Sequence, residues 1–218
     1  NEAKNIKILI PKIFYHLQKN NIKKGEVLLI DDNSSDNINP VFLDLKKKFK
    51  FIYLLKRRTK KDLSKSCVMG FKKAKSNYIL VMDGDLQHNP KYIPKLLKES
   101  ELCDLVITTR FKNKNSLKDW PLRRKFLTTL RLIIKKIILN INYDSSGAFR
   151  CFCRNKILLK DIMLINSNNY DFFFESIYRF DKKKYYIKEI PIQLPFRKLG
   201  KSKMTIYHIM QSLFTLIK

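Results

Sequence analysis

Acidic residues are scarce. Nineteen Asp and Glu stand against 46 Lys and Arg, a formal charge of +27 on 218 residues. Such an imbalance implies an anionic partner: nucleic acid, acidic lipid headgroups or a phosphorylated substrate. A plainer reading is a bias towards lysine, with most of these side chains solvated; charge alone does not choose between them. Cysteine is scarce too. Cys67, Cys103, Cys151 and Cys153 form no CxxC pair, and the Cys151-x-Cys153 spacing matches no zinc pattern. All four read as reduced thiols in a cytosolic setting. No apolar run approaches the roughly 20 residues that span a bilayer, and no secretory signal is visible. Internal repeats and low-complexity linkers are absent, as are zinc-finger, helix-turn-helix and RRM signatures. What remains is 44% hydrophobic and 12% aromatic, ample for one large core.

Apolar spacing predicts a helix over 3–19, entered directly from the opening loop NEAKNI with no strand before it, as in a fragment. Short apolar runs at 26–30, 51–55, 78–82 and 104–108 predict strands buried on both faces. Helices are expected over 63–75, capped by Asp62 or Ser64, and from Asn89-Pro90 onwards. Beyond residue 120 the expectation is a long helix over 121–140, helix in two pieces over 157–180 and a strand at 185–192. A basic loop, 197–203, then leads into a final amphipathic helix. Strands alternating with helices imply an α/β protein with a mostly parallel sheet. In such sheets ligands bind beyond the carboxyl ends of the strands.

Two acidic clusters fall at those ends. Asp83-Gly84-Asp85-Leu86-Gln87 follows one strand. Its paired carboxylates suit Mg²⁺ or Mn²⁺, with Gly84 permitting a close turn and Gln87 adding a neutral oxygen. Taken alone, the triplet reads equally as a solvated turn. Asp31-Asp32-Asn33-Ser34-Ser35-Asp36 follows another strand. There Asp32 can accept from a nucleobase or a ribose hydroxyl, while Asp31 and Asp36 cap the turn and the following helix.

The segments NE at 1–2, LLIDDNSSD at 28–36, LSKSCVMGFKKAKSNYILVMDGDLQHNP at 63–90, TTRF at 108–111, WPLRR at 120–124, DSSGAFR at 144–150 and EIPIQLPFRKLGKSK at 189–203 occur in one order along the chain. In that order and spacing the chain resembles a family-2 glycosyltransferase of GT-A fold, in the dolichyl-phosphate mannose synthase branch. The resemblance implies a Rossmann-like, mostly parallel sheet flanked by helices, with C-terminal amphipathic interface helices. It implies a single domain over 1–218, with a nucleotide-sugar half at 1–110, an acceptor- and membrane-facing half at 111–218, and the family's first strand missing. By the same resemblance Glu2, Ile30, Asp32, Gly84, Arg197 and Lys203 contact the nucleotide sugar, of GDP-mannose or UDP-glucose type. Asp83 and Asp85, with Gln87 beside them, hold the metal and the donor diphosphate. Arg110, Arg124 and Thr128 hold the phosphate of a polyprenyl acceptor; Thr128 stands where the family usually has Ser. Asp62 stands where the family often has Gly.

A polyprenyl phosphate is already an anion near neutral pH, so it can attack an anomeric carbon without a general base, and direct displacement inverts that carbon. Its needs are positioning, charge screening and stabilisation of the leaving diphosphate, which match guanidinium and metal chemistry. His88 beside the acidic turn then reads as support or helix start rather than as a base. Asp144 reads as ordering the acceptor loop or capping a turn, and Arg150 as a phosphate contact or an ion-pair partner. Transfer to a sugar hydroxyl would need a carboxylate base, for which Glu175 and Asp171 are candidates. A nucleic-acid-binding module is the third reading; the acidic clusters at the crevice argue for no nucleic acid. The basic amphipathic stretch at 121–140 suits an anionic bilayer surface or ordinary core packing, and the one at the C-terminus the bilayer or a missing partner segment. With no spanning segment, the expected place is peripheral, at the cytoplasmic face of a membrane.

Overall fold

A computed structural model describes residues 1–112, 121–169 and 171–194, without the side chains of residues 123, 124, 127, 131, 134, 135, 138 and 139. The elements run α1 (Ala3–Lys19), β1 (Val27–Asp32), α2 (Asn39–Lys48), β2 (Ile52–Arg57), α3 (Leu63–Lys73), β3 (Tyr78–Val81), a 3₁₀ turn (Pro90–Tyr92) leading into α4 (Ile93–Ser100), β4 (Leu105–Thr109), α5 (Leu122–Leu139), β5 (Arg150–Cys153), α6 (Leu159–Met163), α7 (Asp171–Lys182) and β6 (Ile187–Pro191). The basic loop at 197–203 and the final helix lie outside the described residues.

Helix α1 forms because Ile6, Leu9, Ile10, Ile13 and Leu17 recur on one face, and all five are buried. Each such side chain contributes about 1.5–3 kcal/mol by leaving water. Helix α3 is started by Asp62, whose carboxylate accepts from the N–H groups of Ser64 and Lys65. Asn89 does the same for Lys91 ahead of the 3₁₀ turn.

Strands β1 and β2 pair in parallel, and β3, β5, β4 and β6 form a second sheet in that order. Strand β6 runs parallel to β4, whereas β5 lies antiparallel between β3 and β4. Thus β3, β4 and β6 point the same way. Alternation along the sequence did not disclose β5, which arrives after a long connection rather than after a helix of a simple β-α-β unit. Cys151 and Cys153 lie on it, and all four cysteines are buried and unpaired.

The expectation that β1 and β3 are buried on both faces is corrected. Only Leu29 of β1 is fully buried, and all four residues of β3 are half-buried. Among the described residues β1 pairs only with β2 and β3 only with β5, so each keeps an edge without a ladder partner. One apolar cluster nevertheless joins both sheets: it includes Ile6, Ile10 and Ile13 of α1, Leu29 of β1, Val106 of β4 and Cys151 of β5. A second cluster, on the other side, gathers Phe71, Phe152, Phe172, Phe174 and Phe180.

Candidate active site

The chain turns sharply after β3. Asp85 Oδ1 accepts from the Gln87 N–H at 3.1 Å, which closes the turn, and Leu86 carries the positive φ of 66°. Gly84 is not the left-handed residue. It sits at a close approach: a Cβ there would come within 3.1 Å of Ile6 Cδ1 and 3.7 Å of Glu2 Cβ. The acidic turn thus packs on the first turn of α1, which brings Glu2 alongside it. The Asp83 N–H donates to His88 Nδ1 at 3.0 Å. In that bond Nδ1 is the acceptor. The ring is buried and stacks on Phe149 with centroids 5.0 Å apart, the supporting role expected for it.

At the end of β1, Asp31 accepts from the Ser34 N–H and closes the polar turn. Asp36 accepts from the Ala3 N–H at 2.8 Å. It therefore caps α1, thirty-odd residues upstream, and not the helix that follows it. Asp32 makes an ion pair with Arg57, opposite it in the parallel register, and also accepts from the Asp62 N–H at 2.6 Å. Arg57 is buried and donates further to the Asp62 and Lys60 carbonyls and to the Thr59 and Ser66 hydroxyls. The carboxylate expected at the nucleotide is thereby locked to the loop before α3. Ile30 lies against α3, where a Cβ on Gly70 would come within 2.7 Å of Ile30 Cδ1. The convergence of these groups is felt by Cys67 on α3. Burial, then the charges of Asp83, Asp62 and Asp32, push its thiol up to about 12, against the opposing field of Arg150.

Arg110 is the first residue past β4. Asp144 accepts from its Nε at 3.2 Å and its Nη2 at 3.3 Å, and Ser146 Oγ also accepts from Nη2. Glu189 on β6 accepts from the Asp144 N–H at 2.6 Å and pairs with Lys112 at 2.8 Å. Beneath this loop Arg150 is fully buried. It donates to the carbonyls of Gly147 and Ser145 and to the Ser176 hydroxyl, and its cation lies over the Phe173 ring. Burial lowers its pKa to about 9, and Asp144 pulls it back up. Arg150 is therefore a structural cation and not a phosphate contact.

Asp83, Asp85, Asp32 and Arg110 all stand at carboxyl ends of strands, as the fold class requires. Arg124 and Thr128 lie one turn apart on α5, which puts them on one face; the Arg124 side chain, Arg197 and Lys203 lie outside the described residues. Glu175 is drawn into the fold. It accepts from the Ser167 and Asn166 N–H groups and from Arg179; these contacts outweigh its burial and hold its pKa below the usual range. Arg57 and Glu189 were not singled out from the sequence. The signal for Arg57 was a basic residue closing an apolar strand; Glu189 opens the segment EIPIQLPFRKLGKSK, but nothing in that segment marks a role beside Asp144. Among the described residues no third His, Cys, Asp or Glu joins Asp83 and Asp85 in a metal-sized cluster. Two carboxylates and an amide fit a hard divalent cation that keeps several waters and takes the rest of its oxygens from a diphosphate.

The dolichol-phosphate mannosyltransferase of Pyrococcus furiosus is 27% identical over 222 residues, covering 100% of this chain and 61% of its own length. The undecaprenyl-phosphate mannosyltransferase of Micrococcus luteus is 27% identical over 188 residues, covering 84% of this chain and 77% of its own length. The solved mannosyltransferase PcManGT of Pyrobaculum calidifontis, in complex with GDP-Man and Mn²⁺, superimposes with a TM-score of 0.56 at 16% identity over 91% of this chain and 55% of its own. The fold is the GT-A arrangement of nucleotide-sugar transferases. Residues 1–163 match the family described as Glycosyl transferase family 2, so the chain belongs to glycosyl transferase family 2.

Proposed function

We propose that the protein moves a hexose, mannose or glucose, from a nucleotide sugar to a polyprenyl phosphate by a single inverting displacement. The observation that carries this reading is the pairing, along one edge, of the Asp83–Asp85 turn with an Arg110 guanidinium held by a buried carboxylate. One end suits a leaving diphosphate and the other an attacking phosphate. The names of the two mannosyltransferase relatives favour the same chemistry. Asp83, Asp85 and Gln87 would hold Mg²⁺ or Mn²⁺, which acts as a Lewis acid on the departing nucleoside diphosphate. Glu2, Ile30, Asp32 and Gly84 line the nucleotide side, with Arg197 and Lys203 closing over the phosphates. Arg110, Arg124 and Thr128 orient the acceptor and screen two repelling anions. Removing one such contact costs about 3–4 kcal/mol of transition-state stabilisation.

No general base is needed, and the fold takes up Glu175, one of the two candidate bases of the sugar-hydroxyl alternative, Asp171 being the other. The acceptor is a lipid, and α5 suits one. Leu122, Phe126, Leu130, Ile133 and Ile137 form an exposed stripe on it at helical spacing, near Lys125 and Lys136. Among the described residues no helix is long and apolar enough to cross a membrane. The protein would lie peripherally at the cytoplasmic face. Asp83→Asn and Asp85→Asn test the metal role: each should abolish metal-dependent transfer, and full activity in either would refute it. Arg124→Ala should raise the acceptor KM with donor affinity intact; collapse of donor binding would move that residue to the other pocket.

A further inference from the structure

We propose that Asp144 is a positioning residue. It fixes the Arg110 guanidinium in place to receive the acceptor's phosphate monoester, and Glu189 in turn fixes Asp144. The inference rests on the reading of function given above. An arginine at a strand end has many rotamers, and ordering it around a phosphate carries an entropic cost. Here that ordering is already done. The Asp144 side chain is only 2% exposed, and Arg110 is 14% exposed. The carboxylate engages the guanidinium edge-on through two nitrogens, and also accepts from the Arg110 backbone N–H at 3.4 Å. Ser146 completes the frame: its hydroxyl accepts from Arg110 and donates to Asp144 at 2.9 Å.

The frame is itself anchored. Glu189 is 5% exposed on β6, beside Ile107 of β4 in register, and takes the Asp144 N–H. Arg150 holds the carbonyls of Ser145 and Gly147 from below and sets a positive charge against Asp144. A carboxylate this buried needs a cationic partner for stability alone; here that partner is an arginine at the carboxyl end of a strand, and both groups are fixed from outside the site, as a guanidinium aimed at a phosphate requires.

The test measures acceptor kinetics with a short-chain polyprenyl phosphate, and donor affinity by calorimetry with GDP-mannose and UDP-glucose in Mn²⁺. Variants are Asp144→Asn, Arg110→Ala, the double variant and Ser146→Ala. Asp144→Asn should raise the acceptor KM about tenfold or more, as loss of a charged hydrogen bond does. Donor affinity should hold within about twofold, and the double variant should be no worse than Arg110→Ala, because Asp144 acts through Arg110. Ser146→Ala, the milder change, should raise the acceptor KM about threefold; it serves should Asp144→Asn fail to fold. An unchanged acceptor KM in the folded variants, fully additive losses, or a matching fall in donor affinity overturns the inference while leaving the function standing. Absence of transfer to polyprenyl phosphate by the unaltered protein overturns the function and this inference together.

Discussion

Replacing Arg57 by Leu removes a guanidinium that donates to one carboxylate, two carbonyls and two hydroxyls. Its side chain is 6% exposed, so water cannot replace it without a cavity; Asp32, at 24%, can recover part of its solvation. Breaking a buried pair from one side costs about 3–5 kcal/mol, and the exposure of Asp32 puts the expected loss near the lower figure, about 3 kcal/mol. Arg57→Lys keeps the charge but loses the planar fork, so it should lose roughly half as much. In the double change Asp32→Leu with Arg57→Leu no charge is stranded, and the loss should be smaller than for Arg57→Leu alone. Urea unfolding measures this as a fall in midpoint at unchanged slope. The same variant should bind the donor nucleotide more weakly, since Asp32 is no longer held. A loss below about 1 kcal/mol in Arg57→Leu, the range of a surface ion pair, would refute the reasoning.

In a urea titration Gly84→Ala should lose stability while Ile6 keeps its δ-methyl, because a Cβ there would press on it at 3.1 Å, and Ile6→Val, which removes that methyl, should recover the loss; an unchanged midpoint in Gly84→Ala would refute the tight fit. Stability should fall in acid. The hydrogen bonds of Glu175 and Asp161 outweigh their burial and hold both pKa values below the usual carboxylate range. Their stabilisation is therefore complete above the unfolded pKa and is lost as pH falls through the lower folded value. Unfolding midpoints taken from neutral pH down through that range should decline, and Glu175→Gln should flatten the decline. Phe126, 67% exposed on the α5 stripe, should matter to lipid and not to folding. Phe126→Glu should lower sedimentation with anionic vesicles at unchanged thermal midpoint, and unchanged vesicle binding would set the membrane role of α5 aside.

Much of the fold was legible because its elements are short and strongly patterned. Helix α1 was readable from Ile6, Leu9, Ile10, Ile13 and Leu17, and β1, β2 and β4 from apolar runs that stop at charged or polar residues. Helix α2 was expected only as the helix after Asp36, without bounds, because Asn39–Lys48 buries only Leu45, too little to set a period. Strand β5 was missed because four residues, Arg150–Cys153, carry a buried arginine that breaks the apolar run. The positions of Asp83, Asp85 and Arg110 followed from the rule that ligands meet strands at their carboxyl ends. Their supports did not. Asp36 caps a helix that precedes it in sequence, and Glu189 reaches Asp144 across 45 residues. Such long-range contacts leave no local mark.

The central claim is the pairing of a metal-assisted leaving diphosphate with a phosphate nucleophile. The most direct measurement is turnover of a panel of nucleotide sugars with a short-chain polyprenyl phosphate, with Mn²⁺ and with chelator, beside sugar-hydroxyl acceptors. The account predicts metal-dependent hexose transfer to the lipid phosphate, with inversion at the anomeric carbon and none to the hydroxyl acceptors. Transfer to a sugar hydroxyl in place of the lipid phosphate, or undiminished transfer in chelator, would contradict it.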